Sequence, residues 1–520
     1  MRVSKFIHLL SLSALLLTPQ VLAQQSAAPS QKPPATVAAP AQAVKASAFR
    51  ITLDPSLFKD TYSGRVYIAL GNEQGRGEPR QSMGDWGGGA QVLAIPVDKM
   101  PPGGVINVDA TSLGFPKNYA DIKPGRYLAQ AVIKNSPDSP NPGRGPGDLY
   151  SRPVLVDFTP GTGEVVEFTP TEVVKERPLR ENDRVKLVEI KSEKLSAFFG
   201  REVKARAGVY LPKNWVDDPG KSYPTIYFIT GFGGDHKSIM FMSQMLPTDG
   251  SADDVMLVVP DPICELGHSV FADSANNGPR GASLMQELIP EVEKRFHGAH
   301  DASRRYVTGI SSGGWGSLWL AVAYPDAWAG CWSHCPDPVD FRDFQRINLY
   351  ADNANMYRDE KGQRRPLSRN GDVVSLWYDD FVRQETVMGP GGQIHSFEAV
   401  FSPKGPDGKP LPLFDRATGN VDPKVAKAWE PYDIRLVIER NWKTLGPKLA
   451  GKLHIYAGEV DTFYLEGAAK LLQKSLSDLG SDAEVVVVAG MPHTIYPGGL
   501  QSMFKTIAEQ HAAEQHAKDQ

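Results

Sequence analysis

Ser311 lies in the run Gly309-Ile310-Ser311-Ser312-Gly313-Gly314, between a short apolar stretch at 306–308 and an apolar helical run starting near Trp315. A nucleophilic serine on a strand-to-helix turn adopts a strained backbone. Flanking glycines remove the side chains that would otherwise clash there. The chemistry this permits is acyl transfer through Ser311, which needs a base for its proton and donors for the oxyanion that forms.

In this chain order the base belongs on a loop after the last strand. His493 occupies that place, in Ala489-Gly490-Met491-Pro492-His493 after the apolar run 484–488. The acid belongs after the preceding strand, where 453–457 runs into Gly458-Glu459-Val460-Asp461. Asp461 is the choice, to fix the imidazole tautomer and stabilise the imidazolium. Glu459 competes with it, and Asp461 has an alternative use as a cap for the following helix. The N–H of Ser312, next to the nucleophile, supplies one oxyanion donor. The second is assigned to Phe232, with Gly233 next, in the turn Gly231-Phe232-Gly233-Gly234 after the strand-like run 225–229. A plain glycine turn is the alternative.

Gly267-His268-Ser269 begins like a second nucleophile turn but reaches Phe271 where a glycine is required. His268 and Asp273 are expected to be surface polar residues, with a place in the pocket wall as the alternative.

The elements that must position these groups alternate along the chain after residue 184. Apolar runs at 225–229, 256–259, 306–308, 453–457 and 484–488 alternate with amphipathic runs at 281–296, 312–324 and 466–479. This rhythm predicts a mostly parallel sheet covered by helices on both faces, with its site beyond the carboxyl ends of the strands. The segment 336–450 is far longer than one crossover needs and is rich in aromatic residues at 377–381 and 397–401. It is expected as a cap-like insertion, with a packed decoration as the alternative.

Residues 47–170 read differently. Short β-like runs at 49–53, 64–70, 91–95, 125–133 and 151–158, separated by Gly- and Pro-rich turns, predict a β-sandwich. The charged stretch 171–183 separates it from a catalytic domain at 185–520. Residues 24–46, rich in Ala, Pro and Gln, are expected to be a disordered linker. Arg2 and Lys5, the apolar run 9–17 and Val21-Leu22-Ala23 read as a cleavable signal peptide over 1–23. A periplasmic or secreted location follows, without stable membrane insertion.

With 56 basic and 60 acidic residues spread along 520, composition gives no electrostatic case for nucleic acid. Only Cys264, Cys331 and Cys335 are present, so no disulfide scaffold is expected. Cys331, His334 and Cys335 invite a metal reading, but one short cluster without a second is better explained by buried small side chains. Neither metal nor cofactor is implied.

Beyond the serine turn, several stretches resemble the putative-esterase (esterase D-like) branch of the α/β-hydrolases, which includes feruloyl, acetylxylan and enterochelin esterases and mycolyltransferases. These are 195–211, the run Phe271-Ala-Asp-Ser-Ala-Asn-Asn-Gly-Pro279, then Glu287-Leu-Ile-Pro-Glu-Val-Glu293 and Tyr324-Pro-Asp-Ala-Trp-Ala-Gly330. The resemblance covers about 185–335 and 450–500. It implies an α/β-hydrolase fold with Ser311, Asp461 and His493 in the catalytic roles. Thr230 departs from it, standing where many members carry a histidine before the oxyanion glycines. An exported serine hydrolase acting on carboxylic esters is therefore expected, its substrate a small molecule or an acylated polysaccharide. An acyltransferase using the same acyl-enzyme and a binding protein on a hydrolase scaffold are the alternatives.

Overall fold

The computed structural model describes residues 43–518 except 76, 85–88 and 162. The signal peptide and nearly all of the linker fall outside the described residues.

An eight-stranded sheet carries the candidate site. Its strands are β1 (Val185–Lys191), β2 (Lys204–Tyr210), β3 (Thr225–Ile229), β4 (Met256–Pro260), β5 (Arg305–Ile310), β6 (Gly330–His334), β7 (Leu453–Gly458) and β8 (Glu484–Val488). They lie in the order 1-2-4-3-5-6-7-8. β2 is antiparallel to both its neighbours, and every other pairing is parallel. β3, β4 and β6 are buried along their whole length; β3 and β4 accordingly read as nearly continuous apolar runs without alternation, whereas β6 ends in the buried polar pair Ser333 and His334.

The pleat divides these strands between two cores. Tyr227, Ile229, Met256, Val258, Val307 and Ile455 meet helices α1 (Ser312–Ala323) and α4 (Glu466–Asp478) on one face. Their sequence neighbours Ile226, Phe228, Leu257, Val259, Tyr306 and Tyr456 pack on the other face with Met503, Phe504 and Ile507 of α5 (Pro497–Lys518). Both faces are thus covered, by the period-two rule for strands.

Residues 44–173 build two further sheets, of eight and three strands. Phe49 and Ile51 of the smaller sheet share one core with Val66, Ile68, Leu93 and Phe158 of the larger. Structure begins earlier than expected. Val44–Ala46 pairs in parallel with Val156–Phe158, inside the stretch read as linker. Only Ala46 of that strand is buried, too small a signal for apolar patterning to reveal.

The segment 336–450 packs into the molecule. It comprises the hairpin Pro366–Asn370 and Val373–Trp377, helices α2 (Tyr378–Met388) and α3 (Gln393–Phe401), and the shorter helices Pro423–Ala428, Ile434–Arg440 and Trp442–Leu449. Phe341, Phe344, Phe401 and Trp429 form a buried aromatic cluster, and the Phe401 ring lies 5.1 Å from Trp315 of α1. Each such ring pair contributes about 0.5–1.5 kcal/mol beyond its buried area, so this segment is part of the core. On its far side the carboxyl end of α2 meets the larger N-terminal sheet. Arg65 donates to the carbonyls of Thr386 and Val387, and Tyr67 to that of Met388.

Candidate active site

Ser311 sits between β5 and α1 with φ 61° and ψ −126°, a conformation that side chains other than glycine rarely hold. The flanking glycines are sterically required. A Cβ on Gly309 would lie 2.2 Å from the Gly313 carbonyl oxygen, and one on Gly313 would lie 2.0 Å from that of Ile229. The turn is held by the Ser311 N–H on the His334 carbonyl (3.0 Å) and the Trp315 N–H on the Ser311 carbonyl (2.9 Å).

His493 and Asp461 come together as the strand order predicts. Nδ1 of His493 lies 2.8 Å from Oδ2 of Asp461, whose side chain is fully buried. Asp461 also receives the N–H of Phe463, whose ring stands edge-on to the imidazole at 4.9 Å. Burial opposes a charged His493, but the Asp461 charge and hydrogen bond outweigh it and raise the imidazole well above its ordinary value. The imidazolium is therefore the form this pair is built to stabilise. Glu459 is exposed and accepts the N–H of Gly490 instead.

The loop bearing Asp461 is gripped by the inserted hairpin. Arg369 donates Nε to the Asp461 carbonyl (2.9 Å), its backbone N–H to the Thr462 carbonyl (2.8 Å) and Nη2 to Glu466 (2.8 Å). Among the described residues no hydrogen bond joins the Ser311 hydroxyl to His493. Such contacts commonly tighten only with substrate in place.

Ser312 opens α1, where a helix's first N–H groups have no intrahelical acceptor. Gly231 lies against the serine, since a Cβ there would stand 3.3 Å from that of Ser311. The N–H groups of Phe232 and Gly233 have no acceptor among the described residues. Both remain available to a substrate oxygen.

The model of the family described as Putative esterase matches residues 196–518. The chain belongs to this family.

Its curated relatives include Esterase Rv1288 of Mycobacterium tuberculosis (strain ATCC 25618 / H37Rv) and Esterase MT1326 of strain CDC 1551 / Oshkosh. Each is 27% identical over 159 residues, 30% of this chain and 34% of the relative. The match thus spans about a third of the length of these relatives. Similar solved structures include a ferulic acid esterase (12% identity, TM-score 0.39), covering 63% of this chain and 99% of that one. Another is an S-formylglutathione hydrolase from Agrobacterium tumefaciens (16% identity, TM-score 0.35), covering 64% and 94%.

Several residues at the site escaped the sequence reading. His268 is fully buried, which corrects its reading as a surface residue. It donates Nε2 to the Thr230 carbonyl at 2.9 Å and accepts the Val270 N–H on Nδ1, so it braces the start of the turn that carries Phe232 and Gly233. Burial pulls its pKa down to about 4, so it is neutral. Asp273 is exposed and caps a helical turn through the Ala282 N–H.

The grouping Cys331, His334 and Cys335 does not assemble. The His334 ring stacks on Tyr456 and accepts the Tyr496 N–H, whereas the Cys335 thiol meets the Thr494 carbonyl at 3.3 Å. Cys335, Asp461 and His493 instead present ligand-type atoms within 4.8 Å of one another. Burial pushes the Cys335 thiol up, against the opposing pull of His493, which favours the neutral thiol. Asp337, after β6, is also buried and accepts the Ser312 hydroxyl at 2.5 Å. That contact joins the segments that follow the neighbouring strands β5 and β6, 25 positions apart in sequence.

Proposed function

We propose that the chain is an exported serine esterase that cleaves carboxylic esters through an acyl-enzyme on Ser311. The observation that carries this reading is the His493–Asp461 pair at 2.8 Å, at the same end of the sheet as a glycine-flanked serine with φ 61°. Ser311 Oγ attacks the ester carbonyl carbon while His493 takes the hydroxyl proton. The N–H groups of Ser312 and Phe232 hold the resulting oxyanion. As the tetrahedral intermediate collapses, the C–O bond to the alcohol breaks and His493 protonates the leaving oxygen. Water then attacks the acyl carbon, His493 takes its proton and returns it to Ser311, and the carboxylic acid departs. Asp461 keeps the imidazole oriented throughout.

The reading includes a leader over 1–23, a β-sandwich over 47–170 and a catalytic domain over 185–520. No described helix is long and apolar enough to cross a membrane. Ser311→Ala is expected to lower turnover of a short p-nitrophenyl acyl ester about 10⁴- to 10⁶-fold. Full activity in that variant sinks the proposal. Mass spectrometry of the protein recovered outside the cytoplasm tests the leader, with a mature chain that lacks residues 1–23 as the expected product.

A further inference from the structure

Asp337 occupies a place that neither helix packing nor the acyl chemistry above explains. It lies in Cys335-Pro336-Asp337, immediately after β6, where the loop presses on the first turn of α1. The approach is close. A Cβ on Gly314 would lie 2.5 Å from the His334 carbonyl oxygen and 2.9 Å from Cα of Pro336.

From there Asp337 makes two contacts that flank the Ser311–Ser312 peptide, one to its carbonyl and one to the Ser312 side chain. Its backbone N–H donates to the Ser311 carbonyl at 3.1 Å, and its carboxylate accepts the Ser312 hydroxyl at 2.5 Å. The Ser311–Ser312 peptide is planar, so fixing the carbonyl on one side and the Ser312 side chain on the other fixes the direction of the Ser312 N–H. Ser311 is held at φ 61°, a strained value that an unrestrained peptide plane would relax.

Burying a carboxylate costs several kcal/mol unless it is well partnered. Here Asp337 is 4% exposed and Ser312 is 1% exposed. Burial pushes the carboxyl up to about 6, while the Ser312 hydroxyl, the charge of His493 and Gln393 oppose the shift and Asp461 adds to it.

We infer that Asp337 is a positioning residue of the oxyanion hole, which grips the Ser311–Ser312 peptide from both ends and so aims the Ser312 N–H at the substrate oxygen. This rests on the reading of Ser311 as the nucleophile. The competing use, an acid placed near the start of α1 to stabilise the helix, predicts a change in melting temperature without a change in turnover.

The full chain carrying Ser312→Ala, Asp337→Ala, both together, or Asp337→Asn separates the two. Turnover of a short p-nitrophenyl ester and affinity for a trifluoromethyl ketone, whose oxygen occupies the oxyanion hole, are the readouts. Each alanine variant is expected to lose about ten- to a hundred-fold in kcat with KM within about twofold, a fraction of what deleting a donor outright costs. Ketone affinity should fall in parallel. The double variant should be no worse than the poorer single, and Asp337→Asn, whose amide oxygen still accepts from Ser312, should regain most of the loss.

Additive losses, an effect confined to KM, or unchanged kcat in both single variants overturns the inference. If Asp337→Ala does not fold, Ser312→Ala, which removes only one hydroxyl, decides it. Fluorophosphonate labelling of the unaltered chain isolates the underlying reading. Failure to label Ser311 sinks that reading, whereas labelling with unchanged kinetics in the variants sinks this inference alone.

Discussion

Two His–Asp pairs, each with one buried and one part-buried member, lie beyond strands of the central sheet, and they are nearly alike in geometry. His493 meets Asp461 at 2.8 Å, and His236 meets Asp261 at 2.7 Å. Asp261 directly follows β4, just as Asp461 follows β7, so both acids leave the carboxyl ends of parallel strands. What surrounds them differs. His493 has the edge of Phe463, the Cys335 thiol and, through the β6 loop, the Ser311 turn beside it. Around His236 the ties are structural: the carboxylate of Asp261 also receives the Ile263 N–H, and the chain at His236 presses on β2, where a Cβ on Gly208 would lie 2.4 Å from its carbonyl oxygen. A histidine held by a carboxylate is therefore no mark of a catalytic base. Its placement beside a strained, glycine-flanked hydroxyl is the distinguishing feature.

The contrast can be broken by substitution. His493→Ala is expected to cost about 10⁴- to 10⁶-fold in kcat while leaving the melting temperature within a few degrees, as read by steady-state kinetics and calorimetry. Asp461→Asn should follow with about a 10⁴-fold loss, because an amide leaves the imidazole in the wrong tautomer. His236→Ala should do the reverse. It removes a buried hydrogen bond and leaves Asp261 short of a partner, so a stability loss of about 1–3 kcal/mol is expected, with kcat changed by no more than a few-fold. A His236 variant that folds normally yet loses turnover would erase the distinction.

The smallest expected effect lies in pH. His493 must be neutral to accept the Ser311 proton, and its pKa is raised, so kcat/KM should climb with pH through a midpoint above the ordinary histidine value of about 6.5. The other pair responds in a different range. Burial raises Asp261, but the hydrogen bond and charge of His236 outweigh it and lower the carboxyl below its ordinary value. The stability this contributes is complete above the unfolded value and is lost only as pH falls through the folded one. As pH falls, activity should thus decline in a range where this pair still holds, and a pH–rate profile beside a pH series of thermal melts would separate the two.

The parts legible in the sequence are those with local signatures. Strands β3 and β8 and helix α1 announce themselves by apolar runs and spacing, and the order serine, acid, histidine follows from strand order. The strands β1 and β2 escaped because their half-buried, charge-bearing faces carry no continuous apolar run. Helix α5 escaped because its apolar side is confined to a few positions such as Met503, Phe504 and Ile507 within a polar run. Asp337 and Arg369 were illegible for another reason. Each acts on residues at least 25 positions away, Ser312 in one case and the Asp461 loop in the other, and no local spacing encodes such a contact. His268 looked like a surface residue because a polar type in a Gly/Ser context usually is one. Its burial depends on a carbonyl at Thr230 and on α3 packing over its loop.

Arg65 and Tyr67 occupy the carbonyls at the end of α2, groups that a helix leaves without internal partners. The consequence is cooperative. Removing residues 43–173 would strip those carbonyls and bare Val387, a buried residue of a core shared with Tyr67, Ala69 and Val132. The inserted segment that grips the Asp461 loop would then lose its outer support. Heat should accordingly melt the N-terminal sheets and the sheet of β1–β8 in one transition, and shortening the chain to residues 185–520 should lower the temperature at which that part unfolds.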